Sequence, residues 1–471
     1  MQVLNDMVGF FTGTLNTVAW LYIFLPFAIV GGIYLTIRTG AVQFSRFGYM
    51  LRNTVGKMFR SAKAGKGEVT PLQAVTTALA ATVGTGNIVG TSQAIALGGY
   101  GAVFWLWIAA LVGMVTKYSE VTLAVKYRER DDKGDWVGGP MYYIKNGMGK
   151  GWGWLAILFS IFAALASFGI GNMSQVNSVT GSLIGAVQAF TTVPDETALI
   201  MRWVIGLLLA LLIGIILIGG IKRIGSVTER LIPFMSLLYI IFTLVVIFGN
   251  IGSLGDAFGK IFSTAFTPEA MFGAASGIVL KNTIIWGLRR SAFSNEAGLG
   301  SAAIAHAATS EKDPVKQGLY GIFEVFADTI VICTLTALTI IVSGVDIQFG
   351  VKPGSELITA AFATVFGGKI ASVFVTVALM LFAFSTVLGW ALYGTRCVQY
   401  LFGTKAILWY RILFVAVAVV GCVTSIDVVW DVADTFNGLM AIPNFIAVFA
   451  LSGVVAKLTR DHFRAEKELR K

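Results

Sequence analysis

Within the apolar segment 78–97 (ALAATVGTGNIVGTSQAIAL) the chain places Gly84-Thr85-Gly86-Asn87, and Gln93 follows six residues after Asn87. Glycine weakens a helix by about 1 kcal/mol relative to alanine, and amide side chains are poor company for lipid tails. A membrane helix broken here gains two chemical uses. The half that begins near Asn87 offers free N–H groups and the positive end of a helix dipole, which suit a carboxylate. The half that ends near Val83 offers free carbonyls, hard neutral oxygens that suit a sodium ion. One break can therefore hold an anion and a cation side by side. Glycines that only let helices pack closely would not need the flanking Thr, Asn and Gln.

Other residues could join that chemistry. Phe168, Asn172 and Gln175 recur at i, i+4 and i+7, so a regular helix puts them on one face. That face could serve an amino acid or form a polar seam between helices. Trp390 lies one turn after Thr386 and faces the same way, as a wall that limits side-chain size. Charges inside apolar segments are functional by default, which singles out Glu296, Arg289, Arg290, Glu324 and Asp328. Salt bridging is the main reading for these, and proton transfer through Asp328 the sharper alternative. His306 reads as structural. Cys333, Cys397 and Cys422 show no metal or disulfide spacing, and neither HExxH nor GxSxG occurs, so an enzyme is not indicated.

These residues need a scaffold, and composition names it. Of 471 residues, 56% are hydrophobic and 13% charged, against about 25% charged in soluble domains. Apolar runs near the ~20-residue spanning length recur throughout. They fall at roughly 17–37, 71–98, 103–126, 152–188, 200–219, 229–249, 284–308, 317–342, 370–396, 409–425 and 436–456. The fold class is an all-α polytopic membrane protein of about eleven spans, the first retained and not a signal peptide. The net charge of +10 is carried by short basic loops that orient helices, not by a nucleic-acid surface. Loops 38–70 and 126–150 and the C-terminal tail are basic, whereas residues before 17 and 426–435 carry no Lys or Arg. The expected topology is N-terminus outside and C-terminus inside. Residues 269–282 are expected to form an interfacial helix, and 354–366 a short external one.

Gly298-Leu299-Gly300-Ser301 echoes Gly84-Thr85-Gly86-Asn87 at an offset of about 214 residues, and the same offset aligns span three with span eight. Five spans repeated with an odd count must be inverted, and an interrupted helix at matching positions is the mark of a secondary transporter. The implied divisions are 1–70 (extra helix and basic segment), 71–250 (first repeat), 251–457 (second repeat) and 458–471 (tail).

The segments ALAATVGTGNIVGTSQAIALGGYGAVFWLW, GMVTKYSEVTLAVKYRE, AFSNEAGLGSAAIAHAA, GLYGIFEVFADTIVICTLTALTI and FAFSTVLGWALYG closely resemble the alanine/glycine:cation symporter family. The resemblance covers essentially the whole chain. It implies a LeuT-type 5+5 inverted repeat with one extra N-terminal helix, in the cell membrane and functional as a monomer among lipids. It implies uptake of small neutral amino acids, alanine or glycine, coupled to Na+ or H+. By the same resemblance, backbone amides of Thr85 and Gly86 hold the substrate carboxylate. Asn87 supports that loop or touches an ion, and Gln93 bonds substrate directly or through the gate. Carbonyls of Ala80 and Val83 and hydroxyls of Ser385 and Thr386 form the sodium site. Without the resemblance, adjacent Ser and Thr would be read as bonding back to their own helix. Span 229–249 has no lysine, which favours sodium over a proton. Tyr100 departs from the family's usual Gly-Pro-Gly, in an outer loop. A channel is the rival, set apart by its lack of uphill, saturable uptake.

Overall fold

The computed structural model describes residues 9–58, 64–267, 279–424 and 427–469. Helix α1 (Gly13–Arg38) precedes a basic segment of short helical turns. Helix α2 (Pro71–Thr82) starts at a capping box: Thr70 and Gln73 exchange side-chain-to-amide hydrogen bonds of 3.1 Å, and Pro71 takes the first helical position. The helix stops where the sequence supplies glycine. Helical structure resumes as α3 (86–98), so the segment expected to break does break, at residues 83–84. There follow α4 (Ala102–Lys126), a small β1 (Glu129–Arg130)–β2 (Trp136–Val137) hairpin, α5 (Lys150–Gln188), α6 (Asp195–Ile218), α7 (Gly220–Gly249) and the shorter α8 (Leu254–Thr264).

The second half begins with α9 (Leu280–Asn295), broken from α10 (Ser301–His306) by residues 296–300. Asp313 caps α11 (Pro314–Val342) by accepting from the Val315 and Lys316 amides. Then come α12 (Glu356–Phe366), α13 (Gly368–Phe402), α14 (Ala406–Val423), α15 (Asp427–Ala450) and α16 (Ser452–Leu469). Helix α12 is the short helix expected over 354–366. Of the expected interfacial helix, 269–278 lies outside the described residues; Leu280–Asn295 is already α9.

Nine helices among the described residues are long and apolar enough to cross a bilayer, and the expected spans missing from that set are the two broken ones. Helix α6 shows a nearly all-apolar face, with Leu207, Leu208, Leu211 and Leu212 at least half exposed, as a lipid-facing helix must. The basic loops meet at one end: Val69 pairs with Thr309, Arg128 bonds the carbonyls of Ala307, Thr309 and Glu311, and His462 of α16 bonds Asp313. At the core, α4 packs against α9 and α11, α5 against α13 and α15, α6 against α14, and α13 against α2. The α2–α13 approach is close enough that a Cβ on Gly389 would lie 2.6 Å from the Ala81 Cβ.

Candidate functional site

The first break is a specific piece of hydrogen bonding. Val83 leaves the helix with ψ 88°. The Gly84 amide, which in an unbroken helix would bond the Ala80 carbonyl, donates instead to Asn87 Oδ1 at 2.9 Å. Thus Asn87, in the first turn of α3, holds the amide of the break and frees a carbonyl at the end of α2. Thr386 Oγ1 of α13 abuts Gly84 so closely that a Cβ there would collide with it.

Two cavities meet at Thr85 and Gly86. The outer one, about 560 Å³, has Gln93, Trp286, Arg290 and Lys352 among its walls. The inner one, about 10 Å³, is bounded by Gly84, Thr85, Gln175, Glu296, Thr386 and Trp390. That is room for about one water. Phe293 borders both and sits between them.

Thr85, Gly86, Thr386 and Trp390 therefore converge as expected. Gln175 converges too, its Oε1 accepting from Thr85 Oγ1 at 3.1 Å. Phe168 and Asn172 lie elsewhere. Asn172 Nδ2 donates to the Phe414 carbonyl at 2.6 Å, and Phe168 stacks near Tyr410 and Phe414, both on α14. The physical reason is a π turn over Gly169–Met173, which adds a residue to the turn and rotates the residues beyond it. Gly171 in that turn permits close approach to Trp390, where a Cβ would collide. Gln93 is a wall of the outer cavity, with Nε2 donating to the Pro353 carbonyl at 3.0 Å. Ser385 and Thr386 both donate to the Phe382 carbonyl, at 2.8 and 3.0 Å, which leaves their lone pairs free to accept a cation. Ser385 is not among the inner pocket's walls. The Ala80 carbonyl and Thr386 hydroxyl are neutral hard oxygens at one end of the break, a donor chemistry that fits Na+.

The second break is held by different groups. Glu296 takes a left-handed conformation (φ 56°) and Gly298 and Gly300 have φ 94° and 78°. For a non-glycine this costs on the order of 1–3 kcal/mol and persists only where the surroundings impose it. Ser301 Oγ donates to Glu296 Oε2 at 2.5 Å. Glu120 of α4 accepts from the Gly298 amide at 3.0 Å and from Asn444 Nδ2 at 2.5 Å. Beneath it, Lys117 Nζ sits 3.1 Å from Glu324 Oε1, and His306 Nε2 lies 3.1 Å from Glu324 Oε2, with all three side chains fully buried. Arg289 pairs with Asp434 of α15 and also bonds Asn16 of α1. Arg290 lies between Trp286 and Phe293, 5.1 and 5.6 Å from their ring centres. Of the intramembrane charges, Glu324 and Arg289 are thus salt-bridged as expected. Asp328 is surrounded by neutral donors instead. Lys117, Glu120 and Asp434 are not singled out by the sequence reading, although the two charges inside the apolar segment 103–126, Lys117 and Glu120, are a signal.

The profile of the "Sodium:alanine symporter family" matches residues 3–471. The chain is 44% identical to the sodium/alanine symporter AgcS of Methanococcus maripaludis over 97% of both chains. It is 38% identical to the probable sodium/glutamine symporter GlnT of Bacillus subtilis, over 99% of this chain and 92% of that one. The crystal structure of MhsT in complex with L-phenylalanine superposes with a TM-score of 0.56 at 13% identity, covering 84% of this chain and 99% of that one, a likeness of fold alone. The fold is LeuT-type, an all-α inverted repeat with an extra N-terminal helix, and its relatives are multi-pass membrane transporters, not enzymes. By the match along its whole length, and with two broken helices facing each other across a buried polar pocket, the chain belongs to the sodium:alanine symporter family.

Proposed function

We infer that the protein couples inward sodium flux to uptake of a small neutral amino acid, alanine or glycine, by alternating access. The observation that carries this is the break at Val83–Thr85: Asn87 draws the Gly84 amide away from the Ala80 carbonyl. The Thr85 and Gly86 amides then take the substrate carboxylate, and the Ala80 and Val83 carbonyls with the Ser385 and Thr386 hydroxyls take Na+. Carboxylate and cation stabilise each other in a low-dielectric pocket. Trp390 and Gln175 close around the substrate side chain, and the small inner pocket favours a short one. Phe293 and Gln93 line the path from outside. The end where the basic loops meet faces the cytoplasm, which puts the N-terminus outside.

A proton in place of sodium is the second reading, favoured by the buried Asp328 carboxylate on Asn87 Nδ2 at 2.7 Å. The deciding experiment is uptake of labelled alanine, glycine, serine and glutamine into proteoliposomes under separate Na+ and pH gradients. Saturable alanine uptake driven uphill by Na+ is expected. Uptake that ignores Na+ and follows the pH gradient transfers coupling to Asp328, and uptake that neither saturates nor concentrates substrate indicates a channel.

A further inference from the structure

Asp328 sits in the π segment Phe326–Cys333 of α11 and is fully buried. Three neutral donors converge on its carboxylate at 2.7 Å each: Asn87 Nδ2 on Oδ1, and Ser294 Oγ and Thr329 Oγ1 on Oδ2. Asn87 Nδ2 also reaches the Asp328 backbone carbonyl at 3.3 Å and Ser294 Oγ directly at 2.9 Å. These donors belong to different moving parts. Asn87 holds the amide of the first break. Ser294 is the penultimate residue of α9, two before the strained Glu296. Thr329 Oγ1 in turn accepts from Asn295 Nδ2 at 3.1 Å, while Asn295 Oδ1 accepts the Ala297 amide at 3.0 Å inside the second break.

We propose that Asp328, with its neighbour Thr329, is a positioning residue that ties the two broken helices to each other, so that the substrate loop at Thr85–Gly86 and the end of α9 change conformation as one unit. The proposal rests on the reading that Thr85 and Gly86 bind substrate. A carboxylate suits the task because it only accepts and offers about four lone-pair sites, so it can serve both helices at once. A carboxamide at the same position accepts through one atom only. Its NH₂ would force the Ser294 or Thr329 hydroxyl to turn from donor to acceptor. The pull on Asn87 reaches the Gly84 amide through Asn87 Oδ1. Asp328 therefore sets the direction of the amides that receive substrate without touching it.

The test is a double-mutant cycle on alanine binding by full-length protein in detergent, with melting temperature recorded for each variant. Asp328→Asn, Asn87→Ala and Thr329→Val are each expected to lower alanine affinity about tenfold or more, the scale of one charge-assisted hydrogen bond. If Asp328 acts through Asn87, Asp328→Asn adds little in an Asn87→Ala background. The effects of Asn87→Ala and Thr329→Val, two side chains that meet only through the Asp328 carboxylate, should be non-additive in the wild type and additive once Asp328 is Asn. A structural role alone would lower melting temperature without producing that pattern. Additive effects of Asn87→Ala and Thr329→Val in the wild type overturn the proposal, and this pair decides the matter even if Asp328→Asn fails to fold. Wild-type protein that binds no amino acid at all refutes the substrate reading instead, a different outcome from unaltered binding in Asp328→Asn, which refutes the tie.

Discussion

Alanine substitution of Gln175 and, separately, of Asn172 discriminates between the two faces that the Gly169–Met173 π turn creates. Gln175 Oε1 holds the Thr85 hydroxyl at 3.1 Å and Nε2 donates to the Ile170 carbonyl at 3.0 Å. Neutral hydrogen bonds contribute about 0.5–1.5 kcal/mol each, and a bond to a charged ligand group about 1.5–3 kcal/mol. Loss of the Thr85 tether alone lowers affinity about two- to tenfold, and loss of a direct contact with substrate about ten- to a hundredfold. Gln175→Ala is expected to weaken alanine binding tenfold or more. Asn172→Ala leaves the Phe414 carbonyl without its 2.6 Å donor at the α5–α14 seam. The Phe414 carbonyl keeps its helical partner four residues on, so the loss costs about 0.5–1.5 kcal/mol of stability, with affinity unchanged within about twofold because the break is untouched. Isothermal calorimetry with alanine at saturating Na+ gives the affinities, and thermal unfolding in the same detergent gives the stabilities. An Asn172→Ala variant that loses affinity while Gln175→Ala binds normally would refute the assignment of faces.

Three further outcomes are expected. Thr386→Ala removes one oxygen beside Gly84 and should reduce the dependence of alanine affinity on Na+ while leaving weak alanine binding; equal Na+ dependence in mutant and wild type excludes that hydroxyl as a ligand, since coupling between two ligands is reciprocal. Lys117→Met strands Glu324 against His306 alone and should destabilise the protein by about 3–5 kcal/mol, seen as a large fall in melting temperature; a neutral effect would mean the pair carries no net stabilisation. Asp313→Ala removes the cap of α11 and the 2.7 Å partner of His462. It should cost about 0.5–2 kcal/mol, with faster proteolysis at the α16 end than in wild type.

The breaks were legible because Gly84-Thr85-Gly86-Asn87 and Gly298-Leu299-Gly300-Ser301 violate what an apolar helix requires, and the violation repeats. The short helix α12 was legible from its own apolar run. The face of α5 was not. Counting by 3.6 residues put Phe168, Asn172 and Gln175 together, but a π turn changes the count locally and only Gln175 reaches Thr85. Nor could spacing disclose that Asp328 contacts Asn87, 241 positions away. Such pairings depend on how helices cross, and side chains that look alike in an apolar segment acquire roles only from the neighbours the crossing supplies. Glu120 is the plainest case: one glutamate in a long apolar helix, given meaning by the Gly298 amide.

The extra helix α1 has a consequence of its own. Gly32 packs against Val112 of α4, Trp20 Nε1 donates to the Asp434 carbonyl of α15 at 3.0 Å, and Asn16 bonds both Asp434 and Thr435. Those attachments belong to α4 and α15, with α9 joined through Arg289, while α6 packs chiefly on α14. Helix α1 is therefore an outrigger, lashed to one hull. Fastened along α4 and α15, it covers part of their surface. Its polar lashings end on Arg289 and Asp434 in the wall of the larger cavity, so the outrigger steadies the approach to the site, while Thr85 and Asn87 are held by other helices.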